Sequence, residues 1–239
     1  MIMKTVTMIL RNLDVLTQDP GSFILFLVFL LSALIVSLTV HEFSHALVAT
    51  SLGDDTAKRM GRLSLNPKVH LDSAGSLMIL LAGFGWGKPV PVNPRAFGAN
   101  VLRYMMFVAA AGPVSNLLMA ATIAMLFRVG TVDVPNGVGI FSPQPLDTSL
   151  SVLISQLFAI AFFLNLILGV FNLIPLAPLD GSKIALGLLP KDMATPFMRV
   201  EPYGPGILMG IIILDIFANT GIIAWIIGPP INTLSRLIL

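Results

Sequence analysis

The stretch Val40-His41-Glu42-Phe43-Ser44-His45-Ala46 lies near the end of an apolar run that begins at Phe23. It contains the pattern His-Glu-x-x-His. On a helix, residues i and i+4 share one face, so the imidazoles of His41 and His45 can reach the same metal ion. Glu42 lies beside that face, where its carboxylate can hold a metal-bound water. Because ionisable residues in an apolar span are costly and usually functional, the motif predicts a metal-dependent site.

Composition indicates an integral membrane protein. Of the 239 residues, 56% are hydrophobic and 11% are charged, whereas soluble domains have about 25% charged residues. The net charge is only +2, and the basic residues flank the apolar runs, so they indicate membrane topology rather than a nucleic-acid-binding surface. The chain has no cysteine, which excludes disulfides and thiolate metal sites.

The apolar runs predict an all-α polytopic membrane protein built as a helical bundle. We expect three core spans at 23–52, 100–127 and 150–171, since about 20 apolar residues are enough to cross a bilayer. A C-terminal helical hairpin is expected within 206–239, cut at 218–221, where Asn, Thr and Gly interrupt the apolar run.

The chain is expected to divide into three parts: an amphipathic lead-in over 1–20, a core over 21–190 and the C-terminal hairpin over 191–239. Within the core, Gly and Pro interrupt residues 53–100 too often for a regular span. We therefore predict an irregular, membrane-dipping loop there that could contain β-structure. Residues 182–204 are expected to form a polar connection.

Loop charges predict the orientation of the spans. Lys and Arg are concentrated at 53–104 and 182–204, whereas the loop 129–148 has none. The positive-inside rule then places the first two regions in the cytoplasm. His41 and His45 would lie in the cytoplasmic third of the first span, at a depth similar to Asp180. We expect a multi-pass protein of the prokaryotic cytoplasmic membrane with its site toward the cytoplasmic side.

A catalytic zinc site needs a third protein ligand and one open position for water. The candidates are Asp180, Asp215, His70 and Asp72. Asp180 is preferred because it follows a helix that Pro175 and Pro178 must break, in a rigid frame that can hold a carboxylate still. Asp215 fits an inter-helix hydrogen bond or a helix end equally well, and the other two lie in the basic loop.

Three asparagines in or near the spans are further candidates. The Asn172 amide could hold a substrate backbone or stabilise an oxyanion, or it could cap the helix that it ends. Asn116 could make a similar polar contact or an inter-helix hydrogen bond. Asn165 fits helix packing, and Gly112 would allow the second span to pack closely against the first.

The motifs His41-Glu42-x-x-His45, Gly112-Pro113-x-x-Asn116 and Asn172-x-x-Pro175-x-x-x-Leu179-Asp180-Gly181 resemble, in this order, the site-2 protease family of intramembrane zinc metalloproteases. The Gly- and Pro-rich loop over 85–94 is also similar to a loop of that family. The resemblance implies one Zn²⁺ per chain, with His41, His45 and Asp180 as ligands and Glu42 as the catalytic base. It also implies that Asn172 binds substrate or stabilises the transition state, and Asn116 joins the candidate catalytic residues.

The implied activity is that of a zinc metalloendopeptidase that cleaves the transmembrane segment of membrane-protein substrates. The chain resembles a minimal member, because its loops are too short for the PDZ or CBS domains that many members carry. The expected partners are the lipid bilayer and a transmembrane protein or peptide substrate, with no nucleic acid. Water would need a polar channel from the cytoplasm, and an extended substrate could add as a β-strand to the 53–100 region. Two other functions fit the same ligands, a metal transporter and an inactive zinc-binding scaffold.

Overall fold

Helices make up most of the structure. The computed structural model describes residues 13–72, 75, 87–133, 143, 148–218 and 220–239. The α-helices of these residues are α1 Leu13–Gln18, α2 Pro20–Ser51, α3 Thr56–Arg59, α4 Val101–Arg128, α5 Leu150–Asn172, α6 Asp180–Leu188, α7 Lys191–Val200, α8 Gly204–Ala218 and α9 Ile222–Ile238. The expected all-α class is confirmed.

Four stretches of the described chain are long and apolar enough to cross a membrane: Pro20–Ser51, Pro94–Arg128, Leu150–Asn172 and Asp192–Ala218. The chain is therefore a multi-pass membrane protein. The first three stretches correspond to the three expected core spans, and their helices begin or end within a few residues of the expected limits. The predicted cut in the C-terminal hairpin is also found, between Ala218 and Ile222.

The expected polar connection over 182–204 is largely helical. These residues form most of α6, all of α7, a short 3₁₀ turn and the first residue of α8. Pro190 does not interrupt a helix because it precedes α7 as its N-cap residue. In α7 itself, charged and apolar residues alternate at helical spacing, which is typical of an amphipathic helix.

Capping residues set the ends of the longest helix, α2. Asp19 accepts a hydrogen bond from the Ser22 backbone N–H at 3.1 Å, and Pro20 occupies the first turn, where its missing N–H costs nothing. After Ser51 the chain turns through Gly53, whose φ of +102° is accessible to glycine at little cost. Helix α2 therefore ends at Ser51, one residue before the expected end of the first span.

Helix α4 lies at the centre of the bundle, against α2, α5 and α6. One apolar cluster joins α4, α5 and α9, with Phe162, Leu166 and Ile231 almost completely buried. A second cluster joins α2 to α5 through Phe26 and Ile160. Since α9 packs into the same cluster as α5, the second hairpin helix belongs to the core. The expected division at residue 190 stays a prediction.

The irregular region after α3 contains an isolated antiparallel bridge between Leu71 and Gly87. The Lys88 backbone N–H donates to the His70 carbonyl at 2.7 Å beside it. The described part of this region thus has β-type pairing without an extended strand. Most of the apolar run 74–84, which was expected to dip into the membrane, lies outside the described residues, as does the lead-in before residue 13.

Candidate metal centre

His41 and His45 point from one face of α2 into the bundle. Both side chains are buried, and their Nε2 atoms lie 3.1 Å apart. The i to i+4 spacing produces this proximity, because one helical turn brings the two imidazoles over each other. The first expectation drawn from the motif, that both rings reach one point, agrees with this geometry.

Asp180 reaches the same point from the start of α6. Its Oδ2 lies 3.1 Å from His41 Nε2 and 3.3 Å from His45 Nε2. The chain leaves α5 after Asn172, turns through the two prolines and enters α6 at Asp180. A Cβ at Gly181 would lie 2.2 Å from the Ile174 carbonyl oxygen, so only glycine allows this tight return beside Asp180.

Hydrogen bonds on the far side of each ring determine its tautomer. His45 Nδ1 is 2.7 Å from the Val108 carbonyl oxygen, and His41 Nδ1 is 2.6 Å from Asn116 Oδ1. A carbonyl oxygen only accepts, so each Nδ1 must donate its hydrogen. When each ring is neutral, its Nε2 therefore carries a lone pair that is directed toward the other ring and toward Asp180.

Three lone-pair-bearing atoms thus converge, two imidazole nitrogens and one carboxylate oxygen. Asp180 Oδ2 is buried without a hydrogen-bond partner, and the two Nε2 atoms cannot donate to it in these tautomers. Neighbouring ligands of a tetrahedral zinc ion lie about 3.3 Å apart, since Zn–N and Zn–O bonds are about 2.0–2.2 Å. The observed separations match, and these residues are the group that could hold a metal among those described.

Gly112 of α4 forms the back of this cluster. A Cβ there would lie 2.5 Å from His45 Nε2 and 2.6 Å from His41 Nε2, closer than real contacts allow. The predicted close packing of α4 against α2 is therefore found at the ligand atoms themselves. Hydrogen in place of a side chain leaves the space that an ion needs, so the donor set and the cavity both fit zinc.

Glu42 follows His41 on α2 and is partly buried. A Cβ at Gly87 would lie 3.3 Å from Glu42 Oε1 and 3.4 Å from the His70 carbonyl oxygen. The backbone at Gly87 therefore passes directly beside the Glu42 carboxylate. This brings the β-bridge of the irregular region next to the candidate catalytic base.

Two buried charged residues hold the segment after Gly87 in this position. The Arg62 guanidinium donates to the carbonyl oxygens of Lys88 and Pro89, and Asp54 Oδ2 accepts from the Asn93 backbone N–H at 2.6 Å. Burial raises the pKa of Asp54, but hydrogen bonds from Thr56 and Asn93 outweigh it and hold that pKa below its ordinary value. The sequence interpretation missed both roles, because it treated the basic residues only as topology signals and assigned no role to Asp54.

The other candidate ligands lie in different contacts. Asp215 accepts from Thr220 Oγ1 at 3.0 Å in the α8–α9 hairpin. His70 is buried, with Nε2 donating to the Ser64 carbonyl oxygen at 2.6 Å, so it holds the irregular loop together. Asp72 accepts from the Gly75 backbone N–H at 2.8 Å. Among the described residues, none of the three belongs to the group that could hold a metal ion.

The candidate asparagines have different environments. Asn172 is the last residue of α5, and its Nδ2 donates to the Leu168 carbonyl of its own helix at 3.0 Å. Asn116 is completely buried and bonds to His41, to Asn165 and to the Ser37 carbonyl. Of its two expected roles, the inter-helix hydrogen bond is found. Asn165 joins the same network, as expected for a packing residue.

Fold and site together define the class: a multi-pass helical membrane protein with a His-Glu-x-x-His motif in a candidate metal centre. Comparison with known sequences agrees. The model of "Peptidase family M50" matches residues 130–201, which contain Asn172 and Asp180. No solved structure matches the chain.

Three relatives are informative. The "Putative zinc metalloprotease YwhC" of Bacillus subtilis is 44% identical over 176 residues, covering 74% of this chain and 76% of YwhC. Proteins named "Putative zinc metalloprotease Rip2" from Mycolicibacterium smegmatis and Mycobacterium tuberculosis are 29% and 28% identical, over 69% of this chain. The match spans 59% of each Rip2 chain. The chain belongs to peptidase family M50 and is a zinc metalloprotease, which confirms the resemblance to the site-2 proteases.

Proposed function

We propose that the protein is an intramembrane endopeptidase that uses one Zn²⁺ per chain, bound by His41, His45 and Asp180. The observation that carries the proposal is the convergence of three lone pairs at one buried point. Lone pairs that face one another in a buried site repel unless a cation lies between them. Their position on apolar spans is the reason for proposing cleavage inside the membrane.

Glu42 is the proposed general base. Zinc in a site with three protein ligands supplies Lewis-acid activation of water and of the substrate carbonyl. The Glu42 carboxylate would take the proton of the attacking water and deliver it to the leaving amine. Its place one residue after a ligand, on the same helix, supports this role. Asn172 is proposed to bind the substrate backbone or the developing oxyanion from the end of α5, after releasing its bond to Leu168.

Substrate capture is proposed to occur at the Gly87 edge. A transmembrane helix hides its carbonyls in internal hydrogen bonds, so it must become extended before hydrolysis. In the bridge between Leu71 and Gly87, the neighbouring residues make the hydrogen bonds, and the two bridged residues direct their own N–H and C=O groups away from each other. An extended segment could pair with the outer edge of Gly87 and would then pass beside Glu42.

The proposed substrates are the transmembrane segments of other membrane proteins, entering laterally between helices. The α8–α9 hairpin is proposed as the gate. The protein is proposed to lie in the prokaryotic cytoplasmic membrane, with residues 53–104 and 182–204 on the cytoplasmic side. Water would reach the site through a polar channel from that side. The basic residues of these regions support this orientation.

The test is the metal content and protease activity of purified variants, reconstituted with a single-span membrane substrate. Asp180→Asn and His41→Ala are expected to lose both zinc and cleavage. Asp215→Asn is the matched control, because Asp215 is another carboxylate on an apolar helix, bonded to Thr220 instead; it should keep both. Unchanged zinc content in the Asp180 variant would contradict the ligand set, and zinc flux into liposomes without cleavage would favour a transporter.

A further inference from the structure

A chain of buried side-chain hydrogen bonds runs from His41 into the interior of the bundle. His41 Nδ1 lies 2.6 Å from Asn116 Oδ1, and Asn116 Nδ2 lies 2.8 Å from Asn165 Oδ1. Asn165 Nδ2 is 2.9 Å from Ser37 Oγ, which is 2.7 Å from the Ala33 carbonyl oxygen. The chain joins α2, α4 and α5, and its three polar links beyond His41 are all fully buried.

At Ser37 and Asn165, the end of this hydrogen-bond network farthest from His41, the direction of each hydrogen bond is fixed. The carbonyl oxygen of Ala33 can only accept, so Ser37 Oγ donates to it and is left to accept from Asn165. Asn165 Nδ2 also lies 2.9 Å from the Ala161 carbonyl oxygen, a second group that only accepts. Rotating the Asn165 amide by 180° would place its oxygen against the Ala161 carbonyl oxygen, which cannot donate a hydrogen bond. Asn165 must therefore direct its nitrogen toward Ser37 and its oxygen toward Asn116.

The direction of these hydrogen bonds determines which nitrogen of His41 carries the hydrogen. Asn165 Oδ1 accepts from Asn116 Nδ2, which also faces the Ser37 carbonyl oxygen at 3.3 Å. Asn116 must then present Oδ1 to His41, and His41 must donate from Nδ1. The lone pair of His41 Nε2 is thereby directed at Asp180 and His45. With the Asn116 amide rotated, His41 would carry its hydrogen on Nε2 instead, and that tautomer cannot bind a cation.

We propose that Asn165, together with Ser37, is a positioning residue that sets the tautomer and orientation of His41 through Asn116. It touches no reacting atom, and its role rests on the metal centre proposed above. The sequence suggested only that Asn165 helps to pack the helices. Helix packing alone would need only a hydrogen bond between Asn165 and Asn116, in either direction. In this network, the acceptors around Asn165 Nδ2 allow one direction only, in which Asn165 accepts from Asn116.

The first test measures zinc affinity by chelator competition in detergent-solubilised protein, without reference to protease activity. Asn165→Leu, which keeps volume and removes polarity, is expected to weaken zinc binding about tenfold, as loss of a partner behind a metal ligand does. Leu166→Ala is the matched control, because Leu166 is the neighbouring buried residue on α5 and lies outside the hydrogen-bond chain. It should lower thermal stability but change zinc affinity less than about twofold.

The second test is a rescue. Asn116→Asp places an oxygen toward His41 in either orientation of the side chain, so Asn165 is no longer needed to orient it. The double variant Asn116→Asp with Asn165→Leu should therefore recover most of the zinc affinity lost in Asn165→Leu. A residue that only packs helices predicts no such recovery. Ser37→Ala, which removes the hydroxyl that accepts from Asn165, is expected to weaken zinc binding by a smaller factor.

Each outcome has one meaning. Wild-type zinc affinity in a folded Asn165→Leu or Ser37→Ala variant would overturn the positioning role. So would a double variant that binds zinc as poorly as Asn165→Leu. If the wild-type protein bound no zinc, the metal centre itself would be wrong, and the positioning role would fall with it.

Discussion

At the scale of single residues, the candidate metal site depends on a glycine that leaves space for an ion as well as on the side chains that would bind it. His41, His45 and Asp180 are the proposed ligands, while Gly112 leaves space beside the two Nε2 atoms. The main-chain oxygen of Val108 and the amide of Asn116 orient the two rings. Contacts of this kind hold a metal-binding imidazole in one tautomer, and their loss typically weakens metal affinity about 10- to 100-fold.

Gly112→Ala is expected to weaken zinc binding by at least about tenfold, the lower end of what such changes behind a ligand cost. The new methyl group would lie within 2.6 Å of both Nε2 atoms and must push the rings apart. Zinc competition against a chelator measures the effect. Gly210→Ala is the control, because a Cβ at Gly210 of α8 meets nothing within 4 Å. Equal zinc affinities in the two variants would show that Gly112 does not border the ion.

The sequence identified the residues that carry charge and missed those that orient them. His41, Glu42 and His45 were evident because their spacing matches one helical turn, and Asp180 because a proline-broken helix precedes it. Helical spacing cannot tell which way an amide points, so the part of Asn116 and Asn165 in fixing His41 emerged only from the hydrogen bonds. Likewise, a main-chain acceptor such as Val108 carries no sequence signal.

At the scale of elements, buried charges fix the segment that follows Gly87 against α2. Arg62 binds two consecutive carbonyls, and Asp54 binds the backbone N–H groups of Asn93 and Thr56. These contacts replace the regular hydrogen bonding that Pro89, Pro91 and Pro94 prevent. The sequence predicted the irregular backbone correctly from its prolines. It could not predict the anchors, since burial of an Asp or Arg depends on tertiary packing.

Asp54→Asn is expected to destabilise the protein at neutral pH by about 1–3 kcal/mol, because an amide can accept only one of the two N–H groups and leaves the other unpaired. Chemical unfolding in detergent would measure this. Asp55→Asn is the control, because Asp55 is the exposed neighbour and makes no side-chain cap bond.

The same contact predicts a pH dependence. The folded-state pKa of Asp54 lies below the ordinary 3.8, so its contribution to stability is present above that value and is lost as pH falls through the lower, folded-state pKa. The difference in stability between wild type and Asp54→Asn should therefore be constant near neutral pH and shrink below pH 3.8. A difference that grew on acidification would contradict the assigned hydrogen bonds.

Gly87→Val is expected to lower the rate of cleavage about tenfold or more while zinc stays bound. Its side chain would extend from a Cβ position 3.3 Å from Glu42 Oε1 and obstruct the carboxylate and the proposed substrate edge. Comparison of activity with zinc content separates this effect from loss of the metal. Full activity in the Val variant would argue against substrate binding at this edge.

At the scale of the whole molecule, the bundle brings distant parts of the chain to one depth. The central helix α4 contacts α2, α5 and α6, so the two His and the Asp meet although Asp180 lies 135 positions after His45. The apolar runs predicted the three core spans, and their interruption by Asn, Thr and Gly at 218–221 predicted the C-terminal cut. The helices at 180–200 were not predicted, because their amphipathic pattern is short and proline-flanked.

Orientation can be tested by cysteine labelling, since the natural chain has no cysteine. Leu65, which is 61% exposed, lies in the basic region, and Thr131 lies in the region free of Lys and Arg. In intact cells, a membrane-impermeant thiol reagent should label Thr131→Cys and not Leu65→Cys. Labelling both after permeabilisation is the control. The reverse pattern would place the metal centre toward the outside.

The most direct measurement of the central claim is the position of the cleaved bond. A single-span substrate is reconstituted in liposomes with wild type or Glu42→Gln, and the products are identified by mass spectrometry alongside bound zinc. We predict cleavage within the apolar segment by the wild type, and no products from Glu42→Gln although zinc is retained. Cleavage confined to the soluble part of the substrate, or the same products from the zinc-loaded Glu42→Gln protein, would contradict it.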